Sequence, residues 1–199
     1  MKKRFAAHEL IKRLNRKIQR QLDLRNTAVL GVVLKGLPVA YGLARMNRII
    51  DNFVPLVAQR HLHIQHQVES YFPSLDWIAY FKKLASTSEC ILIVDDVINM
   101  GFTRQKVEGI VHSLAKTLEK TVPLRFAALV LNRKELANPS FVHPSDIFAM
   151  EVDACDVECD WGLITVPLWD LPVAEAIQRC EEYYKKFWLN ERRWITIEY

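Results

Sequence analysis

Long apolar runs, abundant glycine and proline, and a dense set of cysteines are all missing from this 199-residue sequence. No stretch approaches the roughly 18 apolar residues of a membrane-spanning helix, and no apolar segment follows the basic start as it would in a signal peptide. With 6 glycines and 8 prolines, a fibrous or low-complexity chain is also excluded. We therefore expect a globular cytoplasmic protein with no membrane as a partner.

The cysteines predict neither a disulfide framework nor a zinc site. Cys90 and Cys180 fall in a predicted strand and a predicted helix, where free thiols pack as small apolar groups. Cys155 and Cys159 lie close together among acidic residues, but a zinc site needs two further ligands and a shorter cysteine spacing. A reducing environment fits this pattern.

Positive charge is concentrated at the start of the chain. Nine Lys and Arg against two acidic residues give residues 1–25 a net charge of +7, which leaves −3 for the other 174 residues of a chain whose total is +4. A basic helix can meet nucleic acid, an anionic surface or an acidic patch on a partner subunit. A solvated helix face is the commoner explanation. Without a nucleic-acid motif or interleaved aromatic residues, we do not expect nucleic acid as a partner.

Apolar strands alternate with amphipathic helices along the chain. Strands are predicted at residues 27–34, 61–69, 90–94, 124–131, 147–152 and 163–166. Helices are predicted over about 5–24, from Pro38, from Ser74, over 103–120 and over 173–189. This alternation predicts one α/β domain over residues 1–199, with a doubly wound, mainly parallel sheet and helices on both faces.

Two strand ends carry polar sequence where such a sheet binds ligands, which is beyond the carboxyl ends at the switch point. The first is residues 32–36. In the second, Asp95 and Asp96 follow four apolar residues, and a helix is predicted from Thr103. The loop amides and the helix N-terminus form a cradle for phosphate, which Gly101 lets approach closely. Paired carboxylates suit the vicinal hydroxyls of a ribose. The alternative is an ordinary junction with a solvated acid pair.

Residues 91–103 resemble the phosphoribosyl pyrophosphate signature of the type I phosphoribosyltransferases: four apolar residues, two acids, a short variable stretch and Thr-Gly-x-Thr. The resemblance implies phosphoribosyl pyrophosphate and a nitrogenous base as substrates and Mg²⁺ as cofactor. Asp95 and Asp96 would hold the ribose hydroxyls and would also be the residues at the metal. The residues that would wrap the 5-phosphate are Asn99, Met100, Gly101, Phe102 and Thr103.

Weaker matches are similar to the hypoxanthine–guanine branch of that family, which works in purine salvage. Lys35–Gly36 resembles its pyrophosphate loop and Ser70–Tyr71 its mobile lid. The resemblance also implies a hood over residues 145–170. The base-binding candidates are Asn132, Arg133, Val157 and Trp161. Members of this family usually form dimers or tetramers. The aromatic C-terminal helix and tail at residues 172–199 suit a surface between subunits. We expect a homo-oligomer.

The resemblance is incomplete at the residues that would bind the substrates and activate the nitrogenous base. Asn99 stands where purine enzymes carry an acid, and an amide cannot act as a carboxylate base. Met100 replaces the first threonine of the signature and removes one hydroxyl from the cradle. Asn132 stands where a base-reading lysine is expected. The leading hypothesis is a Mg²⁺-dependent phosphoribosyltransferase in which Asp95, Asp96 and Asn99 form the catalytic set. The alternative is a sensing or regulatory protein that keeps the ligand site without turnover.

Overall fold

The structure, a computed structural model, describes residues 1–33, 35–60, 68–118, 121–161, 171–179, 182 and 193–199. Its strands are β1 Lys2–Ala6, β2 Thr27–Val33, β3 Phe53–Arg60, β4 Val68–Tyr71, β5 Cys90–Ile98, β6 Leu124–Asn132, β7 Ile147–Val152, β8 Asp156–Cys159 and β9 Trp194–Glu198. Its helices are α1 Ala7–Gln19, α2 Gly36–Met46, α3 Leu75–Thr87 and α4 Phe102–Ala115. Residues 173–179 and 182 are also helical.

A six-stranded sheet in the order β4-β3-β2-β5-β6-β7 forms the centre of the molecule. All neighbouring pairs are parallel except β3 with the edge strand β4. Helices α1 and α2 pack together against the sheet, as do α3 and α4, and the interior strands β5 and β6 are almost wholly buried. The predicted doubly wound α/β fold is therefore confirmed.

Local sequence signals explain where α3 begins and which face of α1 is buried. Ser74 accepts a hydrogen bond from the Trp77 amide and caps α3, as predicted. In α1 the apolar stripe Leu10, Leu14 and Ile18 is buried against the sheet. No helix among the described residues has both the length and the apolar character needed to cross a bilayer.

A second, antiparallel sheet in the order β1-β9-β8 corrects three predicted boundaries. The helix expected over residues 5–24 is confined to Ala7–Gln19, because residues 2–6 pair with β9. The C-terminal tail is likewise a strand, with Ile195 and Ile197 buried on one face. The predicted hood segment at residues 145–170 is divided between the two sheets. β7 belongs to the large sheet, whereas β8 pairs with β9 in the small sheet.

Strand β3 was missed by the sequence-based prediction, which placed a strand at residues 61–69 instead. Pro55 lies in its middle, in register with Gly31 of β2. Proline is tolerated there because β4 pairs only with Val57–Arg60 and leaves that part of the outer edge unpaired. Of the predicted strand, residues 61–67 lie outside the described residues, and so does the predicted strand at 163–166.

Candidate functional site

The carboxyl ends of β2 and β5 lie side by side at the switch point of the large sheet. The chain runs from β2 to β3 on one side and later returns to place β5 on the other. Gly36 packs directly on β5: a Cβ atom at this position would lie 2.6 Å from Asp95 Cα and 2.8 Å from the Val94 carbonyl oxygen. The two polar segments singled out in the sequence therefore meet, and glycine makes the contact possible.

The acid pair is buried inside β5, which corrects the prediction that the strand ends at these residues. The strand continues to Ile98, and Asp95 is in register with Ala128 of β6. Asp95 is 7% exposed and Asp96 8% exposed, and the Asp96 amide donates to Asp95 Oδ1 at 2.9 Å. The alternative of a solvated acid pair is therefore wrong.

The turn between β2 and α2 is tied to the small sheet. The Trp161 indole donates from Nε1 to the Lys35 carbonyl oxygen at 3.0 Å, and Lys35 Nζ donates to the Cys159 carbonyl oxygen at 3.3 Å. Trp161 is fully buried. It braces the Lys35 backbone and offers no open ring face, which argues against its predicted role in binding the base.

Cys159 places a thiol beside the acid pair, a feature that the sequence analysis did not predict. Burial and the neighbouring Asp96 carboxylate raise the pKa of this thiol well above its ordinary value, so it is a neutral hydrogen-bond donor at physiological pH. Cys155 is exposed instead, and its sulfur accepts from Lys134 Nζ at 3.1 Å. In the described part of the chain, no three His, Cys, Asp or Glu side chains gather into a metal-binding group.

The predicted phosphate loop leads into α4, which begins at Phe102, one residue before the predicted start. Gly101 has a left-handed backbone with φ of 86°, and a Cβ there would lie 2.9 Å from the Phe141 side chain. The Met100 carbonyl accepts from the Ala137 amide at 3.2 Å. The loop is therefore held from outside by residues 137–141, with Thr103 in the first turn of the helix.

Asn99 has an unsatisfied oxygen in this loop. Its Oδ1 is buried and has no hydrogen-bond partner among the described residues. Because buried polar atoms are normally paired, such an acceptor calls for a donor from water or from a ligand.

The base-binding candidates do not gather around one opening. The Asn132 side chain is buried, and both ends of its amide bond the Ala154 backbone: Nδ2 donates to the carbonyl at 3.2 Å and Oδ1 accepts from the amide at 3.1 Å. Val157 is buried in the small sheet. Arg133 is exposed and donates to Glu151 at 2.6 Å. The geometry therefore argues against base contacts by Asn132 and Val157.

Ser70 and Tyr71 end the edge strand β4, where they are in register with Ala58 and Val57 of β3. Their backbone thus belongs to the large sheet, and their side chains lie outside the described residues. The lid role of this pair stays a prediction.

The sequence analysis also missed a buried ion pair behind the predicted phosphate loop. Arg104 donates to both oxygens of Asp146, at 2.9 and 3.1 Å, and to Glu108 at 2.6 Å. The Asp146 side chain is 1% exposed. A long-range pair of this kind has no signature in local sequence, although two-pronged contact with a carboxylate is typical of arginine. This ion pair anchors the first turn of α4, which forms part of the predicted phosphate site.

No protein-family model matches this sequence, and no curated protein matches it. Solved structures match by fold. A hypoxanthine-guanine phosphoribosyltransferase from Bacillus anthracis str. 'Ames Ancestor' is 15% identical with a TM-score of 0.55, over 80% of this chain and 89% of that chain. A hypoxanthine phosphoribosyltransferase from Trypanosoma cruzi, in a ternary substrates complex, is 13% identical with a TM-score of 0.52, over 81% and 87%. The chain therefore has the type I phosphoribosyltransferase fold.

Proposed function

We propose that this chain is a Mg²⁺-dependent phosphoribosyltransferase that moves ribose 5-phosphate from phosphoribosyl pyrophosphate to a nitrogenous base, with purines as the first acceptors to test. The observation that carries the proposal is the packing of Gly36 on Asp95 at the switch point. That contact joins the two ligand-facing segments that were identified separately in the sequence. The fold shared with hypoxanthine and hypoxanthine-guanine phosphoribosyltransferases supports it.

The substrate would span the gap between two backbone turns. Lys35–Gly36 would face the pyrophosphate, residues 99–103 would wrap the 5-phosphate at the N-terminus of α4, and Asp95 and Asp96 would hold the ribose hydroxyls. Displacement at the anomeric carbon passes through an oxocarbenium-like state. The protein would contribute position, fixed dipoles and exclusion of water.

The acid pair fits a magnesium ion. Mg²⁺ is usually held by one or two carboxylates together with substrate phosphates and water, and Asp95 and Asp96 supply two buried carboxylates within β5 at the switch point. When bound, the ion would cover the negative charge of the departing pyrophosphate. Lys35 lies on the same side and would add a positive charge.

Asn99 would orient the acceptor instead of deprotonating it. Its amide cannot take up a proton, but its buried Oδ1 can accept a hydrogen bond from a ring N–H of the base. General base catalysis typically contributes about 10²–10⁴-fold, so turnover of a purine should be slow by that factor.

The test is calorimetric titration of phosphoribosyl pyrophosphate with and without Mg²⁺. We expect micromolar, Mg²⁺-dependent binding by the wild type and none by an Asp95→Asn, Asp96→Asn double variant, which keeps the shape of both side chains. The exposed Asp76→Asn is the matched control. Equal affinity in the double variant would overturn the proposed site.

Pyrophosphate release then separates catalysis from sensing. Release with any purine or pyrimidine base establishes the transferase. Tight binding without release from any base would instead support the regulatory alternative.

A further inference from the structure

An open cleft lies at the amino ends of β2 and β3, at the edge of the sheet opposite the proposed active site. Residues 19–25, which follow α1, and residues 46–48, which end α2, line it, and its volume is about 750 Å³. Nothing in the proposed transferase reaction uses this end of the molecule.

Positive charge dominates the cleft. Its lining carries Arg20, Arg25 and Arg48 against the single carboxylate of Asp23. That carboxylate accepts from the Arg25 amide at 3.0 Å and from Asn26 Nδ2 at 3.4 Å. Arg20, Arg25 and Arg48 are all exposed. No ion pair or side-chain hydrogen bond of their guanidinium groups is found within the described ranges.

The backbone at Arg48 is held in a conformation that disfavours a side chain. Its φ is 57°, the one positive value at a non-glycine residue in the described part of the chain. The helix ends there with the Ile49 amide donating to the Ala44 carbonyl at 2.9 Å, an arrangement in which glycine or asparagine is usual. A strained arginine at the rim of a basic cleft points to a role for its side chain.

Amide side chains hold the two helix ends in place beneath the arginines. Asn47 Nδ2 donates to Asn15 Oδ1 at 2.7 Å, and Gln19 Nε2 donates to Asn47 Oδ1 at 2.7 Å. The half-buried Leu22 and the 46% exposed Met46 add an apolar part to the lining. The cleft thus combines positive charge with a small apolar surface.

We propose that this cleft binds a nucleotide-sized anion that carries two or more phosphates, at a site separate from the phosphoribosyl site. Guanidinium groups match phosphate oxygens in two-pronged fashion, and the volume is within the usual range for small-molecule sites. Leu22 and Met46 contact the apolar portion of the ligand. Because helix C-termini carry partial negative charge, the arginines alone provide the attraction, and binding weakens with salt.

The test uses ATP without Mg²⁺ as the probe, titrated calorimetrically into the full chain. We expect equal affinity in the wild type and in the Asp95→Asn, Asp96→Asn double variant. Arg48→Gly should weaken binding roughly tenfold or more, as loss of a charge-assisted contact does, while raising the melting temperature by relieving the strained backbone. Arg25→Gln should weaken binding similarly, and Arg13→Gln, outside the cleft, should leave it unchanged.

Three results would overturn this proposal. If ATP does not bind, the arginines are solvated side chains around two helix ends and do not form a binding site. Binding that survives both Arg48→Gly and Arg25→Gln would place the ligand elsewhere. Binding lost in the acid-pair variant would assign the heat to the phosphoribosyl site. Failure of phosphoribosyl pyrophosphate to bind does not bear on the cleft, so the two proposals fail separately.

Discussion

Trp161 donates its indole hydrogen to the backbone carbonyl of Lys35 at 3.0 Å, and the Lys35 ammonium donates in return to the Cys159 carbonyl at 3.3 Å. The end of β8 and the turn that would face pyrophosphate are therefore held by two bonds in opposite directions. Through this link, the small sheet sets the position of Lys35–Gly36 over Asp95.

Trp161→Phe should lower both stability and affinity for phosphoribosyl pyrophosphate, because it leaves the Lys35 carbonyl without its donor. We expect a loss of about 1–3 kcal/mol in unfolding free energy beyond the cost of the smaller ring. Trp77→Phe is the matched control, since the buried Trp77 Nε1 has no partner to lose among the described residues. Urea unfolding of both variants measures the difference, and equal losses would contradict a structural role for the bond.

Gly36→Ala should disrupt the site through a single methyl group. The added Cβ would meet the Asp95 backbone at 2.6 Å, where no flexible side chain can yield. Overpacking of this kind costs about 1–3 kcal/mol and should displace the acid pair and abolish ligand binding. In α4, Gly109→Ala meets nothing within 4 Å and should stabilise the helix by up to about 1 kcal/mol. Thermal unfolding and ligand titration of both variants check this contrast.

The features predicted correctly from sequence are those encoded locally. Apolar runs marked β2, β5, β6 and β7, and Ser74 marked the start of α3. Because parallel strands place their carboxyl ends at one edge, the meeting of Gly36 with Asp95 followed from topology and two short motifs.

The features missed are those decided by partners far away in the chain. The predicted helix begins at about residue 5, yet residues 2–6 pair with residues 194–198 and form a strand. The resemblance places Asn132 where a base-reading lysine is expected, whereas both ends of its amide bond the Ala154 backbone. Long-range pairing of this kind leaves no periodic signal in either segment.

Asn99→Asp should raise turnover with purines. The substitution is nearly isosteric, and it introduces a carboxylate that can accept a proton, at the position where the sequence resemblance implies an acid. We expect the rate of pyrophosphate release to rise by about 10²-fold or more, with little change in affinity for phosphoribosyl pyrophosphate. Steady-state kinetics with hypoxanthine and guanine measure the effect. Asn99→Leu serves as the control that removes the polar group, and an equal rate in both variants would rule out a role in proton transfer.

Buried thiols should make the fold sensitive to alkali. Burial raises the pKa of Cys90 from its ordinary value of 9.0 to about 11, and burial beside Asp96 also raises the pKa of Cys159 well above its ordinary value. The unfolded chain therefore loses these protons first, so stability that is complete below about pH 9 declines as the pH approaches 11. Cys90→Ala should flatten this decline in denaturant midpoints, and the exposed Cys155→Ala should not.

Arg104→Met should destabilise the fold far more than Arg133→Met, although each removes a single guanidinium group that is paired with carboxylates. Arg104 and Asp146 are 4% and 1% exposed, whereas Arg133 and Glu151 are 53% and 44% exposed. Breaking a buried pair leaves an uncompensated charge and costs about 3–5 kcal/mol, but an exposed pair contributes about 1 kcal/mol at most. Adding Asp146→Leu to Arg104→Met should recover part of the loss, because the stranded carboxylate is then gone. Denaturant unfolding of the three variants at neutral pH decides the matter, and equal losses in the two single variants would mean that the Arg104 pair adds nothing beyond a surface contact.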